Sequence, residues 1–383
     1  MPNFSGVWNL KDQVQAIAAG RWTGLPTFEL YAWGLNANGQ IGDNTTQNKS
    51  SPVQVSVTDW SQISTGTIHT MALKTDGTMW AWGSGNNGRL GDGTVVSKSS
   101  PVQVGSLTDW SQVAAGSLHT LSVKTNGTLW AWGFNADGQL GEVARVARSS
   151  PVQIGALTTW SQVAACISHS VAVKTDGTLW AWGRNNLGQL GDGTASNRSS
   201  PVQIGALTDW SQVSGGVYHS VAVKTDGTLW AWGRNNAGQL GIPDTGSEKS
   251  SPIQVGALTN WALVSAGTNT NVSVKADGTL WAWGQNSEGE VGDGTIVSKS
   301  SPVQIGALTT WSSASIGYRT GVALKIDGTL WTWGRNLEGA IGDGTTVNRS
   351  SPVQIGSLTS WSVIPQHGTN AKHVVSIFQG TTN

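Results

Sequence analysis

The chain has 383 residues, with 22 Lys plus Arg against 22 Asp plus Glu, and charged residues make up only 11% of it. That balance lacks the basic surplus with which non-specific nucleic-acid binders neutralise phosphates, and it leaves no polybasic patch for a membrane surface. The single cysteine, Cys166, excludes an intramolecular disulfide framework, and no apolar run approaches the roughly 18 residues of a membrane span.

From the N-terminus, MPNFSGVWNLKDQVQ has neither the basic start nor the apolar stretch of a signal peptide, so a cytoplasmic or virion-associated protein is expected. The segment VQAIAAGRW, ending at Trp22, reads as a strand that has no place in the later count. FELYAWG, from Phe28, opens a series of seven Trp-Ala-Trp-Gly motifs or close variants. Their second aromatics are Trp33, Trp82, Trp132, Trp182, Trp232, Trp283 and Trp333, spaced by about fifty residues. A fixed period of this length marks an array of identical structural units.

One unit, from Ser199 to Gly233, reads as four extended runs. Pro201 to Ile204 follows a Ser-Ser-Pro that forces an extended backbone. Ser211 to Ser214 comes after the turn-rich GALTDW. Ser220 to Lys224 alternates Val221 and Val223 with small or polar residues, the period of two of a strand. Thr228 to Trp232 places Trp230 and Trp232 on one face. Lys-Thr-Asp-Gly between the last two runs is a hairpin signal.

Four antiparallel strands repeated seven times predict an all-β, seven-bladed β-propeller, a single domain over residues 1–383. The tryptophans then serve as packing between blades, each buried ring removing roughly 150–250 Å² from water. Their alternative use is to stack bases or sugars. At the C-terminus, SPVQIGSLTSWSVI and HVVSIF supply three strands and FELYAWG a fourth. The ring is therefore expected to close by pairing N- and C-terminal strands, with a blade built from about 351–378 plus 28–34.

Motifs such as GSLHT from Gly116, TDGTLWAWG from Thr175 and NNLGQLGDGT from Asn185 together resemble the regulator of chromosome condensation repeat family, over about residues 8 to 378. The resemblance implies seven blades. It also implies a function exercised by binding protein: nucleotide exchange on a small nuclear GTPase with chromatin docking, photoreceptor regulation, or inhibition of secreted β-lactamases. The chromatin contact and wedge insertion of the exchange factor have no counterpart in this sequence.

Strand direction puts the Gly-x-x-His segments and the long loops after Trp-Gly on one face, and the Lys-Thr-Asp-Gly and GALTDW turns on the other. Loops on a rigid frame carry function, and the long-loop face is where the repeat varies. Phe134, Arg184, Arg234 and Arg335 follow Trp-Gly, while Tyr218, Tyr318 and Arg319 precede the histidine position or its equivalent. Aromatic and Arg residues together have the composition of a binding hot spot, and these seven are the candidate partner-binding residues; drift in exposed loops is the alternative. The loops GEVARVARSSP from Gly141 and GIPDTGSEKSSP from Gly241 also lose the common GDGT pattern.

His69, His119, His169 and His219 imitate a metal or catalytic series. Each belongs to a different unit, and Thr270 and Thr320 replace them later, which favours a hydrogen-bonding device. A basic residue precedes every Ser-Ser-Pro (Lys49, Lys98, Arg148, Arg198, Lys249, Lys299, Arg349), an anion-binding ring unless the neighbouring Asp residues offset it. GQLGDGT lacks the Lys-Ser/Thr ending of a phosphate loop. No catalytic, metal or cofactor site is expected. The sequence points to a non-enzymatic interaction or structural propeller with a protein partner, without nucleic acid or membrane insertion, such as a phage virion or tail component or a bacterial binding module. A regulator or inhibitor of a partner enzyme, bound through the long-loop face, is the alternative.

Overall fold

Proline lacks a backbone N–H, so within a sheet it belongs on an edge. Pro201 obeys that rule in the computed structural model, which describes residues 26–56, 59–367 and 371–381. Its strand, Arg198–Gln203, pairs antiparallel with Leu179–Gly183, setting Trp180 opposite Gln203 and Ala181 opposite Val202. It is thus the outermost strand of the blade before it, and not the first strand of the unit that the sequence reading opened with Pro201. The same displacement applies to every Ser-Ser-Pro strand.

A complete blade runs outward as Trp210–Gly215, His219–Lys224, Leu229–Gly233 and Lys249–Gln254, all antiparallel. Seven sheets of this kind form the ring. The innermost strands line a central cavity of about 310 Å³ bordered by Ser64, Ala115, Gln162, Ser214, Ser265 and Ser315 among others. Glutamines stitch them: Oε1 of Gln62, Gln112, Gln162 and Gln212 accepts from the N–H of Val113, Val163, Val213 and Val264 one blade on, at 2.9–3.0 Å.

The closing sheet contains Pro26–Gly34 and Lys49–Ser56 from the N-terminal side, with Trp361–Val363 and His373–Thr381 from the C-terminal side. The seam is two strands plus two, where three plus one was expected, because Arg349–Gln354 completes the preceding blade. Nine consecutive pairs join Pro26–Gly34 to His373–Thr381. Between the two C-terminal strands, Gln366–His367 pairs in parallel with Trp60–Thr65 of the first blade, a second tie across the seam. The VQAIAAGRW strand lies outside the described residues.

The hydrophobic core is divided into seven clusters, one between each pair of neighbouring blades. In one of them Val171, Val173, Leu179 and Ala181 of one blade meet Trp210, Val213, Ala222 and Trp232 of the next. The second Trp of every motif is fully buried, and its indole N–H donates to a carbonyl in the long loop of the preceding blade. Trp82 reaches Gln40 at 2.9 Å, Trp182 reaches Gln139 at 2.9 Å and Trp232 reaches Gln189 at 3.0 Å. The packing role expected for the tryptophans is therefore joined to a polar one. A Cβ on Gly191 would lie 2.8 Å from the Trp232 indole nitrogen, which explains the first glycine of GDGT.

Candidate protein-binding face

Gly233 adopts φ +98°, and a Cβ there would stand 2.8 Å from the Cα of His219. Only glycine permits that approach, and it sends the next residue back across the blade end. The N–H of Arg234 bonds to the carbonyl of Tyr218 at 2.9 Å, and the same bond joins Phe134 to Leu118, Arg184 to Ser168 and Arg335 to Arg319. Trp-Gly thus fixes the variable residue beside the turn preceding the histidine position, on the long-loop face. The Lys-Thr-Asp-Gly turns occupy the opposite face beside the GALTDW segments, with the Thr225 N–H on the Asp209 carbonyl at 2.8 Å. The division into two faces holds as the sequence indicated.

The long loops of this face are tied by internal hydrogen bonds. Asn185 is fully buried; its side chain accepts from the Leu190 N–H at 2.9 Å and donates to Asp192 at 2.9 Å. The loop also docks on the next blade, where the Gly193 N–H meets the Ser250 carbonyl at 2.8 Å.

Six of the seven candidate residues form two clusters: Arg184 joins Tyr218 and Arg234 from the blade before, while Tyr318, Arg319 and Arg335 share one blade. The guanidinium carbons of Arg184 and Arg234 lie 5.7 and 5.6 Å from the Tyr218 ring centroid. Those of Arg319 and Arg335 lie 5.3 and 5.2 Å from the Tyr318 ring, with Lys372 at 4.6 Å. All are partly exposed, within the range of cation–π attraction. Phe134 joins neither cluster; it occupies the position of Arg184 one blade earlier.

Lys372 and three carboxylates were not among the sequence candidates. Glu288 pairs with Arg319 at 2.7 Å and with Arg335 at 3.3 Å, and Glu338 pairs with Arg335 at 3.0 Å. Glu290 is fully buried and 3.7 Å from the Arg319 Nε. Burial raises its carboxyl above the ordinary value, against the backbone N–H groups and Arg319 that favour its charge. Gln stands at this position in four other blades (Gln40, Gln139, Gln189, Gln239), so aligning the repeats against one another marks Glu290 as a departure.

The histidines point along the ring. The Nε2 atoms of His119 and His169 lie 3.0 Å from the hydroxyls of Ser170 and Ser220, and that of His219 lies 2.9 Å from Asn271 Oδ1. Ser170 and Ser220 donate their own protons to the carbonyls of Gln139 and Gln189, which assigns the imidazole proton to Nε2. His373 repeats the contact at the seam, 2.8 Å from Thr70, and is a fifth member that the four-residue series omitted. Burial lowers their pKa values, to about 3 for His119, His169 and His373 and about 4 for His219. They are neutral links between blades. Among the described residues no group of three or more His, Cys, Asp or Glu is placed to hold a metal.

The basic ring is locally neutralised. Lys49, Lys98, Arg198, Lys299 and Arg349 pair with Asp43, Asp92, Asp192, Asp293 and Asp343. The two irregular loops keep the pairing with Glu142 for Arg148 and Asp244 for Lys249. No helix among the described residues is long and apolar enough to cross a membrane.

Seven copies of the regulator of chromosome condensation (RCC1) repeat match this chain, from residues 29–73 to residues 327–378. No curated protein matches it significantly. Among solved structures it is similar to human WBSCR16, with a TM-score of 0.82 and 20% identity over 92% of this chain and 99% of that one. Prp20p from Saccharomyces cerevisiae gives a TM-score of 0.82 and 20% identity over 94% and 93%. Yeast RCC1 (Prp20) bound to Kap60 gives 0.81 and 19% over 94% and 90%. At such identities the likeness concerns the fold, whereas the repeat matches cover most of the sequence. The chain belongs to the RCC1 repeat family.

Proposed function

We propose that this propeller is a non-enzymatic binding module that holds a protein partner on its long-loop face. The observation that carries the reading is the pair of Arg–Tyr–Arg clusters around Tyr218 and Tyr318. They interrupt an otherwise regular ring at partly exposed positions, on loops held by buried asparagines. Interfaces concentrate their energy in Tyr, Trp and Arg anchors on preorganised surfaces. The yeast protein of the same architecture has binding properties toward Gsp1p and histones, which are proteins, and this supports a protein partner as a class.

Regulation or inhibition of a partner enzyme is the sharper form of this reading, and docking within a virion or other large assembly is another setting for the same face. The test begins with affinity capture from the native source and mass spectrometry of the bound proteins. The captured partner is then titrated against the wild type and against Tyr218→Ala, Tyr318→Ala and Phe134→Ala. A one-to-one complex weakened at least tenfold by the two tyrosine substitutions supports the proposal. Unchanged affinity in all three variants overturns it.

A further inference from the structure

The two tyrosine clusters each gather two arginines around one ring, with Tyr218 at the repeat position of Arg319 and Tyr318 at that of Val217, and they differ in charge balance. Around Tyr318, Arg319 and Arg335 share Glu288, and Arg335 also holds Glu338. Around Tyr218, and among the described residues, the Arg184 guanidinium bonds to the neutral Asn186 side chain at 2.9 Å, Arg234 has no side-chain partner except the Tyr218 ring, and neither arginine has a carboxylate within ion-pair distance. The repeat itself explains the difference. The loop position of Glu288 is held by Leu187 in the blade of Arg184, and that of Glu338 by Ala237 in the blade of Arg234.

Two guanidiniums converging on one ring repel each other, and a carboxylate between them would relieve that repulsion. Guanidinium and carboxylate also match in bidentate geometry, while the ring supplies an apolar floor. Within this chain the Tyr318 cluster shows the satisfied form of the arrangement. We propose that Arg184, Tyr218 and Arg234 form a clasp for an acidic segment of the partner protein, an Asp or Glu side chain taking the place that Glu288 and Glu338 take beside Tyr318. This rests on the long-loop face being the binding face, and it names the chemistry of what is bound there.

The test uses the full chain and a fluorescein-labelled peptide of alternating Glu and Gly, followed by anisotropy at low salt. Controls are the same peptide with Gln for Glu, a Lys–Gly peptide and a single-stranded DNA oligomer. The Glu peptide is expected to bind at least tenfold more tightly than the Gln peptide. That binding should fall at least tenfold in Arg184→Gln/Arg234→Gln and weaken as salt rises. The double variant Leu187→Glu/Ala237→Glu supplies the missing carboxylates from the chain itself, and it should abolish peptide binding while the far-ultraviolet spectrum and melting temperature stay those of the wild type.

Equal binding of the Glu and Gln peptides, tighter binding of the DNA, or indifference to both double variants would overturn the proposal. The two readings fail separately. If the captured partner is lost in Tyr218→Ala yet binds Arg184→Gln/Arg234→Gln as well as the wild type, the face stands and the acidic clasp falls.

Discussion

Trp33 and Ala340 are 307 residues apart in sequence, and the indole N–H of one donates to the carbonyl of the other at 2.9 Å across the seam of the ring. The bond has the same length as that of Trp182 to Gln139 in the middle of the chain. The seam is therefore built like any other blade boundary. Trp33→Phe leaves the buried Ala340 carbonyl without its indole donor, whereas after Trp182→Phe the Gln139 carbonyl keeps the Ser170 hydroxyl. Urea titration should give a loss of about 1–3 kcal/mol for Trp33→Phe, at least as large as that for Trp182→Phe. A loss at Trp33 well below that at Trp182 would mean that the seam contributes little.

Cys166 and Gly215 form a matched pair. The sulfur occupies the space where a Cβ on Gly215 would stand, one blade further on. Gly215→Ala should cost about 1–3 kcal/mol through overpacking, and the cost should nearly vanish in a Cys166→Gly background. A double-mutant cycle reads this coupling directly; additive effects would contradict it. Burial also pushes the Cys166 thiol up, so a thiol reagent should label the native protein far more slowly than the unfolded chain.

The buried histidines set the acid limit of the fold. Unfolded histidine titrates near pH 6.5, while in the fold burial holds His119 and His169 near 3 and His219 near 4. Above about pH 6.5 both states are neutral and the full stability is present. As the pH falls toward the folded values, only the unfolded chain takes up protons. Stability then declines by roughly 1.4 kcal/mol per pH unit for each such histidine. His119→Thr, with the residue found at this position in two other blades, should flatten the decline by about one proton between pH 6.5 and 5. Urea midpoints across that range check it, and an unchanged slope would contradict it.

Glu290 is the opposite case. Its raised value means that the folded state holds the proton more tightly than the unfolded chain, so ionising it at neutral pH weakens the fold. Glu290→Gln restores the residue found in four other blades. It is expected to be neutral or stabilising by up to about 1 kcal/mol at pH 7, as judged by thermal melting. A clear destabilisation would show that Glu290 earns its place by pairing with Arg319.

Much of this architecture was legible because fifty-residue periodicity and two-residue alternation are both local signals. The phase of the blade was harder: Ser-Ser-Pro looks like a beginning, and only the proline's preference for an edge reveals it as the end of the previous sheet. The two-plus-two seam follows from that phase. Within the candidate face, Tyr218 and Arg234 share a blade, but Arg184 reaches Tyr218 from the blade before. Phe134 was picked by the same composition rule and meets no such neighbour. His373 escaped notice because AKHVVSIF lacks the glycine that precedes His69, His119 and His219 by three residues, and no Trp-Gly motif follows it as one follows His169. Contacts between blades depend on how the units stack, which no single repeat encodes.

Hydrogen–deuterium exchange of the captured complex, compared with the free chain, tests the binding face most directly. The account predicts slowed exchange in the turns before His219 and Thr320 and in the segments beginning at Arg184, Arg234 and Arg335. Protection confined to the Lys-Thr-Asp-Gly turns and GALT segments of the opposite face would contradict it.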